Sequence, residues 1–481
     1  MTRFSEYLEQ VIMRSGMKEK DLAKASGFAR SYIALMKTGQ RVSPDIDKMS
    51  KLMYALNLPP YEMEEFKEEY YRARIGDEAY ERDESVMDFI HSFNNTSKLY
   101  TKEHHVYEIP DVKTVNNRMD LEWLIKAIIK NEAEKKNGFV HIMMQGTGNL
   151  LKNILPDVCD SNKELEIEHI VCMEQSGDQK TKSENLYNIR MLRELIPITV
   201  FSNSQNYKLY YYYDHVASKY NTGSLFSYMV LTSEYLICMD ANITMGMLCK
   251  DEAVRELYEC VFQKNKRNCR EMIHYISNES EMIRYQEEIK EQENITYSIA
   301  QQPCFGVLKI QGLFRKYANH MNKQLFSNLQ KMVQKNSEIV DEDNHKHISY
   351  CTKEGLRRFA IDGVIDELPK EICGILEKRD RKYILMLLLE MIEAGKYEIY
   401  LLDEKEDGIP KELFINVYSV TEMMVLYLSE NLKTRFAVNE SSITKIIYES
   451  LKNMLKNPRI GTLEASKIYI RKLIQEIEKM P

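Results

Sequence analysis

Over residues 4–14 the apolar positions Phe4, Tyr7, Leu8, Val11 and Ile12 follow the i, i+3, i+4 spacing of a helix with one buried face. Gly16 ends that helix, and a second runs from Lys18 to about Ala25, with Leu22, Ala23 and Ala25 turned inward. Gly27 breaks the pattern, Phe28 packs inward, and a third helix is predicted from about Arg30 to Thr38, stopped by Gly39. Ser43 and Pro44 read as an N-cap with proline at the first helical position, ahead of the stripe Ile46, Met49, Leu52, Met53 and Leu56. Pro59 and Pro60 introduce a last helix through Met63, Phe66 and Tyr70.

Further along, the period alternates between helix and strand. Met119–Lys136 is amphipathic and helical, 139–145 is a short buried strand, and Leu150–Val158 is helical again. Strands are predicted at 167–174, 198–203 and 208–214, a hairpin at 226–240, and a long helix from about Glu252 to Ser277. After 278 the pattern turns more helical, at Leu313–Val333, Asp380–Ala394, Ser442–Leu455 and Leu463–Met480, with strands at 397–403 and 423–429. A faint internal echo sets helix 119–136 and its strand against helix 380–394 and its strand, and Met229–Leu231 against Met424–Leu426.

The expected fold class is therefore multidomain: an all-α five-helix head, then an α/β body with a mainly parallel sheet and a helical C-terminus. The expected units are residues 1–71, a linker at 72–117, an α/β domain at 118–277, and a helix-rich α/β domain at 278–481. The last would be a divergent repeat of the one before and a dimerisation domain. The acidic run Asp77–Glu84 is predicted to be a solvated helix face, and Asn94–Thr96 to break the helix before it.

Composition changes the picture in three ways. With 481 residues, 44% hydrophobic and 29% charged, the chain can bury a sizeable core and is not a disordered polymer. No run approaches a spanning helix and the N-terminus carries no apolar leader, so a cytoplasmic protein without membrane contact is expected. Nine dispersed cysteines, none in CxxC spacing, fit reduced thiols rather than disulfides or a zinc site. The charge of −7 is uneven: residues 1–58 hold ten bases against six acids. A basic head on an acidic body points to nucleic acid as the head's partner.

The stretch 21–58, DLAKASGFARSYIALMKTGQRVSPDIDKMSKLMYALNL, resembles the Xre family of bacterial, lambda-repressor-like helix-turn-helix domains over about residues 3–70. Ala23 matches the small residue where two helices cross, Gly27 the turn, Ile33 the buried residue of the recognition helix, and Gly39 the glycine after it. The resemblance implies that Arg30, Ser31 and Ala34 face base edges, with Arg30 suited to guanine. It implies that Lys18, Lys37, Gln40 and Arg41 contact phosphates. Two departures stand out: Ala29 replaces the usual Ser or Thr cap, and Ala34 and Leu35 cannot hydrogen-bond a base.

Chemistry in the body is sparse. The turn QGTGN at 145–149 could cradle a phosphate, but Leu151 stands where a dinucleotide fingerprint wants glycine, and no P-loop lysine follows. His104 and His105 lie in the expected linker, and His345 and His347 follow Asp341 and Asp343 in what reads as a polar loop. His141 and His169 sit within strands and read as satisfied core residues. His215 and Lys219 have the wrong spacing for an HxK nuclease motif, and Tyr210–Tyr213 alternate across a strand as packing residues. No catalytic residue, metal site or cofactor is expected.

The expected function is a sequence-specific DNA-binding transcriptional regulator. It would be a homodimer on double-stranded DNA, with the body dimerising the heads and binding a small-molecule or peptide effector. Two alternatives belong to other classes. One is an enzyme acting on nucleotides or nucleic acid and targeted or autoregulated by the head, with Gly146, Gly148 and the Asp341–His347 cluster converging on one pocket. The other is an interaction protein of the peptide-receptor type, against which the strands between 139 and 240 count.

Overall fold

The structure is a computed structural model. It describes the chain except residues 1, 95–105, 111–112, 147–149, 176–185, 202–205, 217–225, 289–293, most of 309–344, 368–373, 403–407, 429–432 and 481. His104, His105, Gly148, Lys219, Asp341 and Asp343 fall outside the described residues.

Five helices open the chain: α1 (Arg3–Ser15), α2 (Glu19–Ser26), α3 (Arg30–Lys37), α4 (Ile46–Ala55) and α5 (Pro60–Ile75). Local chemistry explains their ends. Thr2 and Ser5 form a reciprocal capping box on α1, Asp45 caps α4, and Gly16 and Gly27 close α1 and α2 in the left-handed region at φ 64 and 76. Their inward stripes meet in one core around Leu8, Leu22, Ile33, Met36, Leu52 and Phe66.

The expected linker is instead a core element. After Gly76 the chain forms α6 (Asp77–Ser92), with Val86, Phe89, Ile90 and Phe93 fully buried in the largest core. The acidic face of its first half masked the apolar face of its second. Only the helices it packs against, Tyr187–Phe201 and Ser441–Met454, reveal which face is buried.

Two sheets make up the body. The first has strand order β1-β7-β6-β5-β2-β3-β4-β8 and the second β12-β11-β10-β13-β14-β15-β9. In the first, β1 (Thr114–Val115) is followed by α7 (Arg118–Ala133), β2 (Phe139–Met143), α8 (Leu150–Ser161), β3 (Glu166–Glu174), α9 (Tyr187–Phe201) and β4 (Tyr207–Asp214). Then come β5 (Tyr228–Leu231), β6 (Leu236–Met239), β7 (Gly246–Cys249), α10 (Glu252–Lys266) and β8 (Arg270–Glu271). The second runs β9 (Ile273–Tyr275), α11 (Glu279–Glu288), β10 (Ile295–Ala300), β11 (Lys346–Thr352), α12 (Lys353–Asp362), α13 (Lys378–Glu393) and β12 (Tyr397–Leu402). It ends with β13 (Leu413–Val417), β14 (Met423–Leu428), β15 (Lys433–Val438), α14 (Ser441–Met454) and α15 (Leu463–Lys479).

The sheets are mixed, which corrects the expectation of a mainly parallel body. Only β2–β3–β4 and β10–β11–β12 pair in parallel; β5 returns antiparallel beside β2, and β13 beside β10. Tight returns such as Thr232–Tyr235 join neighbouring antiparallel strands, whereas only helical crossovers give parallel ones. Two elements also differ from their sequence pattern. Residues 198–201 end helix α9, because a run apolar on every side is equally a helix buried all round. The helix expected over 252–277 stops at 266, and 270–275 supplies the edge strands β8 and β9, one to each sheet.

The two sheets repeat one topology: β1 to β7 and α10 correspond in order and pairing to β9 to β15 and α14. The segments set against each other by sequence are not equivalent in it. The partner of β2 is β10 rather than β12, and Met229–Leu231 lies in β5 while Met424–Leu426 lies in β14, the counterpart of β6. The halves pack head to tail. The shared core takes the face of the first sheet that carries Val140 and Ile142, and the face of the second that carries Tyr297 and Ile299 under α14. The opposite face of the second sheet packs on α12, α13 and α15.

Candidate functional site

In the head, α2 and α3 are joined by the left-handed Gly27, and Leu22, Ile33 and Met36 hold their inner sides. Phe28 stacks on Tyr32 with rings 5.4 Å apart, and Lys48 lies over Phe28. This packing turns Lys18, Lys20, Lys24, Arg30, Ser31, Ala34, Gln40 and Arg41 outward, all exposed. Ala29 gives α3 no side-chain cap.

The residues named from the family resemblance do not share one fate. Lys37 is half-buried, with its Nζ 3.2 Å from Glu19 and 3.6 Å from Glu9, so it faces acids of the head itself. Arg30 Nε also lies 3.3 Å from Glu19, and these two cations hold the Glu19 carboxyl below its ordinary range. Lys18, Gln40 and Arg41 remain on the open face. Lys20 and Lys24, which the motif did not single out, join them; their i, i+4 spacing on one helix was the available signal.

The head is fastened to the body. Arg74 donates to the Lys456 carbonyl at 2.8 Å, Arg459 pairs with Glu64 at 3.2 Å, and Arg82 of α6 reaches Glu449 of α14 at 2.9 Å. Tyr71 donates to Asp83, whose carboxyl burial pushes up to about 6 despite that bond.

Two buried histidines of the body, His169 and His347, are bonded at both ring nitrogens. His169 meets Tyr207 Oη and the Met144 carbonyl, each at 2.9 Å, and burial lowers its pKa to about 4. His347 lies between Thr296 and Ser298 at 2.8 and 2.9 Å and is lowered to about 3. His141 stacks on Phe262 of α10 and sits 2.6 Å from Glu259 and 3.6 Å from Glu168, which Lys266 and Tyr210 also contact. A ring with both nitrogens engaged has no lone pair for a substrate proton, so these groups fasten elements together. His215 is exposed beside Glu174 at 3.4 Å.

Gly146 packs against Met191 of α9 in the first half, whereas His345 and His347 bond Thr296 in the second. The described parts of the pocket expected for a nucleotide enzyme thus belong to different sheets. Among the described residues, no group of three metal-ligating side chains gathers, and no helix is long and apolar enough to cross a membrane.

No family model and no curated protein matches the chain. One solved structure to which the chain is similar is the crystal structure of phosphatidylserine synthase from Haemophilus influenzae Rd KW20. The two share 8% identity over 81% of this chain and 97% of that one, with a TM-score of 0.22. A likeness that low says nothing about this chain's activity. No comparison supports the expectation of a sequence-specific DNA-binding transcriptional regulator, and the geometry of the head counts against it: Arg30, the one strong base reader expected, pairs with Glu19 at 3.3 Å beside an Ala34 that cannot hydrogen-bond a base.

Proposed function

We propose that the chain is an interaction protein that holds double-stranded DNA by its phosphates through a helix-turn-helix head and holds protein through its two-unit body. Support for the first half comes from the outward row Lys18, Lys20, Lys24, Gln40 and Arg41 across α2 and the end of α3, all exposed on a head that is otherwise well packed. Phosphate contacts position a protein on a duplex without reading its sequence. Support for the second comes from Leu257 and Val261, large apolar residues left exposed on α10 of the body.

Fluorescence anisotropy of the full chain on unrelated duplexes, across a salt series, tests the DNA half. The expected result is similar affinity for all sequences and a steep fall with salt, with Lys18→Ala or Arg41→Ala each flattening the slope by about one unit. A strong preference for one sequence, lost in Arg30→Ala, would overturn this reading.

A further inference from the structure

Because the two halves share one topology and pack head to tail, two helices at the internal junction, α14 and α9, have counterparts on the outer faces of the body. Helix α14 covers the junction, and its counterpart is α10. Counted from their N-caps Asp251 and Glu440, Ala253 matches Ser442, Leu257 matches Ile446, Cys260 matches Glu449 and Val261 matches Ser450. On α14 these positions make the contacts. Ser442 accepts from Asn188 of α9 at 2.9 Å, Glu449 pairs with Arg82 of α6, Ser450 is buried, and Ile446 packs into the shared core. On α10 the same positions form an outward stripe, with Leu257 61% and Val261 40% exposed and Cys260 exposed between them.

The other side of the junction has an open counterpart too. Helix α9 lies against α14, and its counterpart is α13, which likewise precedes the third parallel strand. The connections to those strands differ in length, Phe201 standing six residues before Tyr207 and Glu393 four before Tyr397, so α9 and α13 are compared as whole helices. Arg193 pairs with Asp88 of α6 at 2.9 Å and Ile196 is fully buried, whereas Tyr383 and Met386 are 49% and 43% exposed. Helix α15 lies along another side of α13, through Lys382–Glu478 and Arg471–Glu393, and leaves these two residues open.

Charge fits the same pairing. The bond between Asn188 and Ser442 brings the N-terminal turns of α9 and α14 together. In that orientation the acidic start of α10, Glu252 and Glu256, faces the basic start of α13, Lys378 and Arg379, and Lys264 faces Glu390. We infer that the chain self-associates head to tail, with the α10 stripe of one copy seated on the α13 face of the next, repeating between chains the contact that α14 and α9 make within one. The contact is heterologous, so it extends rather than closing in a symmetric pair. It rests on the body being the part that holds protein, and it names a second copy as that protein.

Sedimentation velocity of the full chain without DNA, over a concentration series, tests it. The expected result is a mean mass that climbs past the dimer. Leu257→Glu and Tyr383→Glu should each be monomeric with unchanged melting curves. Mixed one to one they should form a dimer that grows no further, because each variant keeps the face the other has lost. Glu256→Arg should weaken association, and adding Arg379→Glu in the same chain should restore it. A chain monomeric at every concentration overturns the inference, as does association that survives Leu257→Glu or that needs α10 but not α13. Duplex binding read separately by anisotropy keeps this failure distinct from failure of the head.

Discussion

Tyr71 of α5 donates its phenolic hydrogen bond to the buried carboxylate of Asp83 on α6, at the joint where the head meets the body. Beside it Arg82 of α6 reaches Glu449 of α14, so α5, α6 and α14 meet at this joint.

Asp83 makes the joint pH-sensitive. Burial raises the Asp83 pKa from 3.8 to about 6, with Tyr71, Ser450 and Arg82 pulling the other way. A carboxyl raised in the folded state is favoured protonated, so its cost is absent below the unfolded value and grows as pH rises through about 6. The shift corresponds to a cost of about 3 kcal/mol above pH 6. In urea melts, Asp83→Asn should lose less stability than the parent between pH 4 and 7. A parallel pH profile in both would sink the assignment.

The buried histidines act at the acid end. His169 and His347 are held neutral, with pKa values lowered from 6.5 to about 4 and about 3 by burial. A base depressed in the folded state is protonated first in the unfolded chain, so stability falls as pH drops below 6.5 and continues to fall down to the folded values. Thermal melts should therefore shift steadily downward from pH 6.5 to 4, and His347→Asn should show a shallower decline than the parent.

Residues 77–92 are core, not tether. Phe89 is fully buried against Phe93 at a ring separation of 5.5 Å. Phe89→Ala should cost about 3–5 kcal/mol in denaturant unfolding, the range for truncating a buried aromatic. A change near zero would mean that α6 detaches freely in solution.

The polar cluster under α10 is a coupled unit. Glu168 is nearly inaccessible, and Lys266 is its cationic partner. Lys266→Met leaves that carboxylate with His141 and Tyr210 but no lysine and should cost about 2–4 kcal/mol, discounted because the lysine is partly exposed. Adding Glu168→Gln should recover a large part of the loss. Additive costs in the double variant would show that the two do not interact.

Most element boundaries were legible in the chain because their causes are local. The left-handed Gly16 and Gly27 and the stripes of α1 to α5 act within a turn or two of sequence, whereas the start of α4 differs from the expectation: Asp45, not Ser43, caps it, and Pro44 lies outside the helix. The strands at 139–143, 166–174, 207–214 and 397–402 were legible as apolar runs of strand length. Residues 198–201 were not, because all-round burial erases the difference between period 2 and period 3.6.

The sequence by itself determined a compact helical head with a basic outer row and a body of alternating helices and strands. Strand order, the mixed pairing beside β2 and β10, and the shared topology of the halves were decided only in three dimensions, because a strand's partner lies as many as 165 residues away, as Val438 does from Ile273. So were the partners of the buried histidines, and the difference between Ile446, packed in the core, and Leu257, left outside. Both residues belong to amphipathic helices of one kind, and which stripe is covered depends on the second surface that packs against it, a property no local pattern carries.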